Sequence, residues 1–155
     1  MTLSAKEAEK DQSTKHLIFY ADDDADDLEL VCEAFEAYSN NVEVLTFCDG
    51  GRILSHIKAM SDGEPTPCLI ILDINMPVVN GKDVLIQLRQ IQRFDNVPVV
   101  LFTTSSMPVD KEFAEQYGAG FITKPLNAKQ MERIADQFIE HCTDEIKKKL
   151  SKKLQ

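Results

Sequence analysis

Hydrophobic positions follow two patterns that alternate along the chain. Short continuous apolar runs, typical of strands buried on both faces of a sheet, are each followed by apolar residues spaced like one face of a helix. The predicted strands are His16–Ala21, Val42–Phe47, Cys68–Leu72, Val97–Phe102 and Gly120–Thr123. The helical stripes lie within Leu28–Phe35, Ile53–Met60, Val84–Ile91, Phe113–Tyr117 and Met131–Cys142, and the last stripe extends through Ile146 to Leu150. The pattern predicts five strand–helix units.

Strict alternation of strands and helices predicts an α/β fold, a parallel sheet covered by helices on both faces. Gly118 stands where the fourth helix should end, as a C-terminal cap. We expect residues 1–14 to form a flexible polar tail, residues 15–146 to form the domain, and residues 147–155 to extend the last helix as a basic run.

Composition and charge narrow the class of protein. With 155 residues, the chain is long enough for one domain with its own core. Its net charge of −9 argues against nucleic-acid binding through bulk charge. The longest apolar runs are far too short to span a membrane, and the polar N-terminus does not resemble a signal peptide. Since the four cysteines stand singly, we expect reduced thiols and a cytoplasmic location.

Polar side chains stand where four of the predicted strands end. They are Asp22 and Asp23 after the first strand, Asp73 after the third, Thr103 after the fourth and Lys124 after the fifth. In an open parallel sheet the carboxyl ends of the strands meet at one rim, and ligands bind there. The sequence therefore predicts that carboxylates, a hydroxyl and an ammonium converge on one site.

This set of groups suggests phosphoryl chemistry. Clustered carboxylates repel one another unless cations lie among them. Lys124 supplies one cation, and Mg²⁺, which prefers oxygen ligands and also binds phosphate oxygens, fits as the other. Asp73 can then act as a nucleophile toward phosphorus. Asp24, Asp26 and Asp27 also suit the solvated start of a helix, and for them that interpretation stays open.

Four segments carry a resemblance to a known family. The chain resembles the receiver domain of bacterial two-component response regulators in L-I-F-Y-A-D-D-D, L-D-I-N-M-P-V-V-N-G, P-V-V-L-F-T-T-S-S and G-F-I-T-K-P-L. The match runs from about residue 16 to residue 145 in the order of the family. It implies a flavodoxin-like, doubly wound sheet of five parallel strands in the order 2-1-3-4-5, with five helices.

The resemblance also implies roles for the residues at the rim. Asp73 would be the phosphoacceptor. Asp23 would be the main Mg²⁺ ligand, with Asp22 assisting through water; Asp73 itself and the backbone carbonyl of Asn75 would complete the ligand set. Thr103 would bind the phosphoryl oxygen, and Lys124 would pair with Asp73 or its phosphate.

Further positions acquire roles from the same resemblance. Phe121 would act with Thr103 as the conformational switch, although it lacks the hydroxyl of the tyrosine often found there. Asn75 and Ser105 would tune the lifetime of the acyl phosphate. The Lys124–Pro125 bond would be cis. Gly81 would permit the tight turn that follows Pro77 and opens the third helix.

The expected function is that of a single-domain response regulator. It would take a phosphoryl group from the phosphohistidine of a histidine kinase or histidine phosphotransfer protein, and would then alter its affinity for an unknown downstream protein. The surface that signals this change would be helix four, strand five and helix five, including Lys111, Phe121 and parts of Ala128–Gln137. Dimerisation through the last two strand–helix units stays open.

We expect no multiple-turnover enzyme, only Mg²⁺-dependent self-phosphorylation and slow self-dephosphorylation. One alternative is a phosphatase of the haloacid-dehalogenase type. That class needs a second carboxylate two residues after the nucleophile, where Asn75 stands. The other alternative is a receiver-like scaffold that is never phosphorylated.

Overall fold

Five parallel strands form a sheet at the centre of the molecule. The computed structural model describes residues 15–150. Its strands are β1 (His16–Ala21), β2 (Val42–Phe47), β3 (Leu69–Leu72), β4 (Val99–Thr103) and β5 (Gly120–Thr123). Their order is β2-β1-β3-β4-β5, and every neighbouring pair is parallel. The predicted fold class and strand order are confirmed.

Helices cover both faces of this sheet, and residues 15–150 form seven α-helices where five were expected, because the last predicted helix is divided. They are α1 (Ala25–Ala34), α2 (Gly50–Ala59), α3 (Gly81–Arg89), α4 (Pro108–Gln116), α5 (Ala128–Met131), α6 (Ile134–Ile139) and α7 (Asp144–Lys149). Short 3₁₀ turns follow α1 and α3 at Phe35–Tyr38 and Gln92–Phe94. Gly118 follows α4 with a φ of 67°, the left-handed conformation expected of a C-terminal cap.

Two apolar clusters pack on opposite faces of the sheet. On one face, Tyr20 and Phe102 pack against each other on the side of α1, α5 and α6, where Phe138 contacts Phe102. On the other face, Phe19 and Leu72 point toward the stripes of α2 and α3. All four residues of β3 are buried, because the strand lies in the middle of the sheet and is covered on both sides. The continuous apolar runs in the sequence therefore correspond to strands packed on both faces.

The C-terminal end of the fold differs from the sequence prediction. The stripe from Met131 to Cys142 is divided between α5 and α6, since the intervening turn uses tighter i→i−3 hydrogen bonds, such as that from Arg133 N to Gln130 O. The last helix does not continue to Leu150. Instead, the Thr143 hydroxyl accepts a hydrogen bond from Ile146 N and starts α7 as a separate helix.

The described residues cover only part of the predicted domain boundaries. The tail at residues 1–14 and the chain end at 151–155 lie outside the described residues. The basic run at 147–149 forms the last turn of α7, and Leu150 is buried against the core. Within residues 15–150, no helix has the length and apolar character that crossing a membrane requires.

Arg89 connects two loops at the edge of the sheet opposite the carboxyl ends of the strands. Its guanidinium donates hydrogen bonds to five backbone carbonyls, from the loops before β4 and β5. These are the oxygens of Phe94, Asp95, Val97, Tyr117 and Gly118, at 2.9–3.3 Å. The planar fork of arginine can reach several acceptors at once, which a lysine cannot do. This side chain therefore fixes the ends of two strands whose other ends carry polar groups.

Candidate functional site

The strands bring the predicted polar residues to one rim of the sheet. Asp22 N donates to the last carbonyl of β2, and Asp73 N donates to Ala21 O at the end of β1. Lys124 N donates to Thr103 O at 2.7 Å in the same way. Since the backbone ladder continues through these residues, their side chains leave the sheet at neighbouring positions.

Three carboxylates form a cluster at this rim. One oxygen from each of Asp22, Asp23 and Asp73 lies within 4.8 Å of the others. Asp22 is fully buried and Asp73 nearly so, whereas Asp23 faces solvent. The Tyr20 hydroxyl donates to Asp22 Oδ2 at 2.6 Å, and Asp24 N donates to Asp22 Oδ1 at 2.9 Å. Asp22 is thus held rigidly, while Asp23 and Asp73 keep oxygens for other partners.

Lys124 enters this cluster from β5. Its Nζ lies 2.9 Å from Asp22 Oδ2, 2.8 Å from Asp27 Oδ2 and 3.5 Å from Asp73 Oδ2. The lysine side chain is 7% exposed, so water contributes little to its solvation. In this state Lys124 makes its shortest contacts with Asp22 and Asp27, and its contact with Asp73 is longer.

Burial and charge shift the acidities in the cluster. Burial, and then the charge of Asp22, raise the pKa of Asp73 to about 6. Burial by itself lowers the pKa of Lys124, but hydrogen bonds to Asp27 and Asp22 outweigh it and leave that pKa above its ordinary value. Burial also raises the pKa of Tyr20, so its hydroxyl stays protonated and donates to Asp22. The site therefore combines a fixed ammonium with an acid that is reluctant to ionise without a further cation.

The loop after Asp73 wraps closely around it. Asn75 N donates to Asp73 Oδ1 at 3.3 Å, and the side chain of Asn75 is exposed. The chain reverses at Val78, which has a φ of 66° and is spanned by the hydrogen bond of a γ-turn. For a β-branched residue this backbone is strained.

Gly81 is the first residue of α3 and follows this turn, whose positive φ belongs to Val78. A Cβ at Gly81 would lie 2.2 Å from Asp73 O, so glycine is needed here to let α3 start against the backbone of Asp73.

A second polar cluster lies next to Thr103. Thr103 is fully buried, and its hydroxyl oxygen accepts a hydrogen bond from Ser105 N at 3.2 Å. The Ser105 hydroxyl in turn donates to Asp110 Oδ2 at 2.6 Å, and Lys82 Nζ lies 2.5 Å from Asp110 Oδ1. Hydrogen bonds from Lys82 and Ser105 lower the pKa of Asp110. This cluster joins α3, α4 and the loop that follows Thr103 at the end of β4.

Phe121 lies on β5, three residues before Lys124. It pairs in register with Leu101 of β4 and is half-buried against the apolar cluster on that face of the sheet, as Phe113 of α4 is. Its side chain is thus neither free in solvent nor locked in the core.

One expectation about the backbone is wrong. Throughout residues 15–150 the peptide bonds are trans, and this includes Lys124–Pro125. The trans isomer is the more stable one for a bond before proline. With this bond trans, Lys124 Nζ already reaches Asp22 and Asp27.

Three contributors to the site were missed or left undecided from the sequence. Tyr20 lies two residues before Asp22, so a period of two places both on the same side of the strand. Asp27 lies four residues after Asp23, one helical turn away, which could have indicated a shared face. The Lys82–Asp110 contact joins distant parts of the chain, and local spacing carries no signal for it.

The oxygen donors suit a hard divalent cation. Asp22, Asp23 and Asp73 offer closely spaced carboxylate oxygens, and two of these three residues are buried. The ammonium of Lys124 contacts three carboxylates, those of Asp22, Asp27 and Asp73. Mg²⁺ and Mn²⁺ favour such oxygen ligands. The arrangement can therefore neutralise added negative charge next to a buried carboxylate.

A doubly wound five-stranded sheet with a buried acid, an acidic cluster and a lysine at its carboxyl rim defines a signalling receiver. The family model of the response regulator receiver domain matches residues 18–136, and the chain belongs to this family. As a member of the family it is a component of two-component phosphorelay signalling.

Individual relatives agree with this assignment. The response regulator Rcp1 of Synechocystis sp. (strain PCC 6803) is 28% identical over 118 residues, which cover 74% of this chain and 80% of that protein. The phosphorylated cyanobacterial phytochrome response regulator RcpA superposes with a TM-score of 0.76 at 26% identity, covering 84% of this chain and 96% of that one. The Mn²⁺-bound form of Rcp1 gives a TM-score of 0.71 at 26% identity, with coverages of 79% and 90%.

Proposed function

We propose that Asp73 is the phosphoacceptor of this response regulator, and that phosphorylation controls its binding to a downstream protein. The observation that carries the proposal is the position of Asp73. It is a buried carboxylate at the end of the central strand, within 4.8 Å of two further carboxylates and 3.5 Å from the ammonium of Lys124. Asn75 two residues later cannot act as the general acid of a phosphatase, so a stable acyl phosphate is the expected product.

The proposed reaction transfers a phosphoryl group from nitrogen to oxygen. A carboxylate oxygen of Asp73 attacks the phosphorus of a phosphohistidine on a histidine kinase or histidine phosphotransfer protein. The new P–O bond forms as the P–N bond breaks, and the departing imidazole nitrogen takes up a proton. Lys124 stabilises negative charge on the transferring oxygens, since it is held at the rim in its charged form.

We assign the Mg²⁺ ligands to Asp22, Asp23, Asp73 and the backbone carbonyl of Asn75. When bound, Mg²⁺ supplies positive charge that lowers the cost of ionising Asp73 and offsets charge on the phosphoryl oxygens. Tyr20 supports this set by fixing Asp22 through the 2.6 Å hydrogen bond. The Mn²⁺-bound form of Rcp1 supports the same class of cation for this chain.

The phosphorylated state would differ from the resting state around Thr103. The Thr103 hydroxyl accepts from Ser105 N and keeps its own O–H to donate, so it would bind a phosphoryl oxygen by moving toward Asp73. That movement would shift the loop before α4 and the packing of Phe121, and so change the surface formed by α4, β5 and α5. Asn75 and Ser105, which flank Asp73 and Thr103, are the proposed determinants of phosphoryl lifetime.

The setting of the reaction follows from the family. We propose a cytoplasmic protein, because receivers take their phosphoryl group from cytoplasmic kinase domains. The likeness to phytochrome response regulators makes a phytochrome-type histidine kinase a donor worth testing. Dimerisation through β4–α4 and β5–α5 would be a consequence of phosphorylation to be measured by sedimentation.

The decisive experiment is labelling with acetyl phosphate. In Mg²⁺, intact-mass analysis should show one added phosphoryl group on the wild-type chain and none on Asp73→Asn. Excess chelator should prevent labelling. A control, Asp62→Asn, changes an exposed loop acid and should label normally. A wild-type chain that stays unmodified would favour the scaffold alternative, and continuous release of phosphate from small esters would favour the phosphatase.

A further inference from the structure

Asp27 makes a contact that an ordinary helix-start acid does not make. It lies in the first turn of α1, and its Oδ2 is 2.8 Å from Lys124 Nζ. That distance is the shortest of the three from Lys124 to a carboxylate, and the one to Asp73 is the longest, at 3.5 Å. Asp26, its neighbour, is exposed and accounts equally well for favourable charge at the start of the helix.

We propose that Asp27 is a positioning residue that holds Lys124 in the resting state and competes with the phosphoryl group for it. The inference rests on the proposed phosphorylation of Asp73. An ammonium has three donor hydrogens, and Asp22, Asp27 and Asp73 surround it here. A phosphoryl group on Asp73 brings new acceptor oxygens, so Lys124 has to give up or weaken one of its present contacts.

Asp27 is the contact that can be released. Asp22 is fully buried and fixed by Tyr20 and Asp24 N, so it cannot withdraw from the lysine. The Asp27 side chain is 19% exposed, so water can take over its solvation when Lys124 leaves. Asp27 also adds negative charge beside the place where the phosphoryl charge arrives. Both effects oppose phosphorylation, and removing the charge of Asp27 should therefore favour it.

Beryllofluoride, which mimics a phosphoryl group on aspartate, provides the test. In saturating Mg²⁺, we expect Asp27→Asn to bind beryllofluoride about threefold to tenfold more tightly than wild type in calorimetric titration. Asp27→Glu keeps the charge and should remain closer to wild type. Asp26→Asn removes the same charge one residue away and should leave the affinity unchanged.

A second measurement follows the lysine itself. In ¹H–¹⁵N spectra of the Lys124 ammonium, the metal-free Asp27→Asn protein should move from the wild-type position toward that of the beryllofluoride complex. A purely structural role for Asp27 predicts lower thermal stability with neither change. Unaltered or weaker beryllofluoride binding in Asp27→Asn, or a Lys124 signal identical to wild type, would overturn the proposal.

The two proposals fail in different ways. If wild type does not bind beryllofluoride in a Mg²⁺-dependent manner, the assignment of Asp73 is wrong. If wild type binds and Asp27→Asn behaves like Asp26→Asn, Asp73 stands and the role of Asp27 is wrong.

Discussion

Replacing Asp73 by asparagine should stabilise the protein when no metal is bound. The substitution keeps the shape of the side chain and removes a charge from a buried site where burial and Asp22 disfavour it. Lys124 retains its shorter contacts with Asp22 and Asp27, so the ammonium is not left without partners. The acid that the proposed function requires is therefore a source of instability in the resting protein.

The magnitude follows from the shift in acidity. The pKa of Asp73 rises from 3.8 to about 6, and each pKa unit corresponds to about 1.4 kcal/mol. The ceiling is thus about 3 kcal/mol, and solvent at the rim reduces the expected gain to about 1–2 kcal/mol. For a domain of this size, that gain raises the melting temperature by about 2–8 °C.

The sign of the pH dependence is also determined. Because the carboxyl of Asp73 holds its proton more tightly in the folded state, its ionisation opposes folding as pH rises from about 4 to about 6. The advantage of Asp73→Asn should be full above about pH 6.5 and fade as pH falls toward 4.

Mg²⁺ should reverse the order of stability, so that wild type becomes more stable than Asp73→Asn. Binding to the folded state stabilises wild type by about 2.7 kcal/mol at a hundredfold excess over the dissociation constant, and the asparagine variant should gain less. Melting curves by circular dichroism at pH 5 and pH 8, in chelator and in Mg²⁺, test both statements. The reasoning would be refuted if Asp73→Asn were no more stable than wild type in chelator at pH 8.

Substitutions at three other places test further contacts of the fold and the site. Arg89→Met should lower the free energy of unfolding in urea by about 3 kcal/mol, because several carbonyls lose a charged donor. Arg89→Lys should restore only part of this stability, and a variant as stable as wild type would show that these hydrogen bonds are unimportant. A double-mutant cycle of Asp110→Asn and Lys82→Met should give a coupling of about 1 kcal/mol, whereas strict additivity would show the contact to be unimportant. Gly81→Ala should slow phosphoryl labelling of Asp73 about tenfold or more and lower the free energy of unfolding by about 2 kcal/mol, because the new Cβ would press on the backbone of Asp73. Labelling at the normal rate would mean that the loop can relax around this Cβ.

Apolar spacing predicted most of the fold because each strand and helix is specified locally. The run from Cys68 to Leu72 could only be a strand buried on both faces, and β3 is such a strand. The same reasoning failed where a stripe continued through a change of hydrogen bonding. At Arg133 and Thr143 the apolar pattern of one helix persists, but the backbone tightens at the first residue and restarts at the second.

The residues of the site were predictable to the extent that they follow strands. Asp22, Asp73 and Lys124 each stand directly after a parallel strand and Thr103 is the last residue of one, so topology alone brings them to one rim. Val78 could not be identified in this way, because nothing in its residue type predicts a positive φ.

The sequence by itself determined that acids, a hydroxyl and an ammonium meet at the carboxyl edge of a parallel sheet, since strand direction and chain order require it. Only the tertiary structure decided which acid the ammonium contacts most closely. Lys124 lies nearer to Asp27 than to Asp73 because the packing of α1 brings Asp27, in its first turn, within reach of the lysine side chain that follows β5. Distances of a few tenths of an ångström between groups far apart in the chain depend on packing, and no local pattern of residues encodes them.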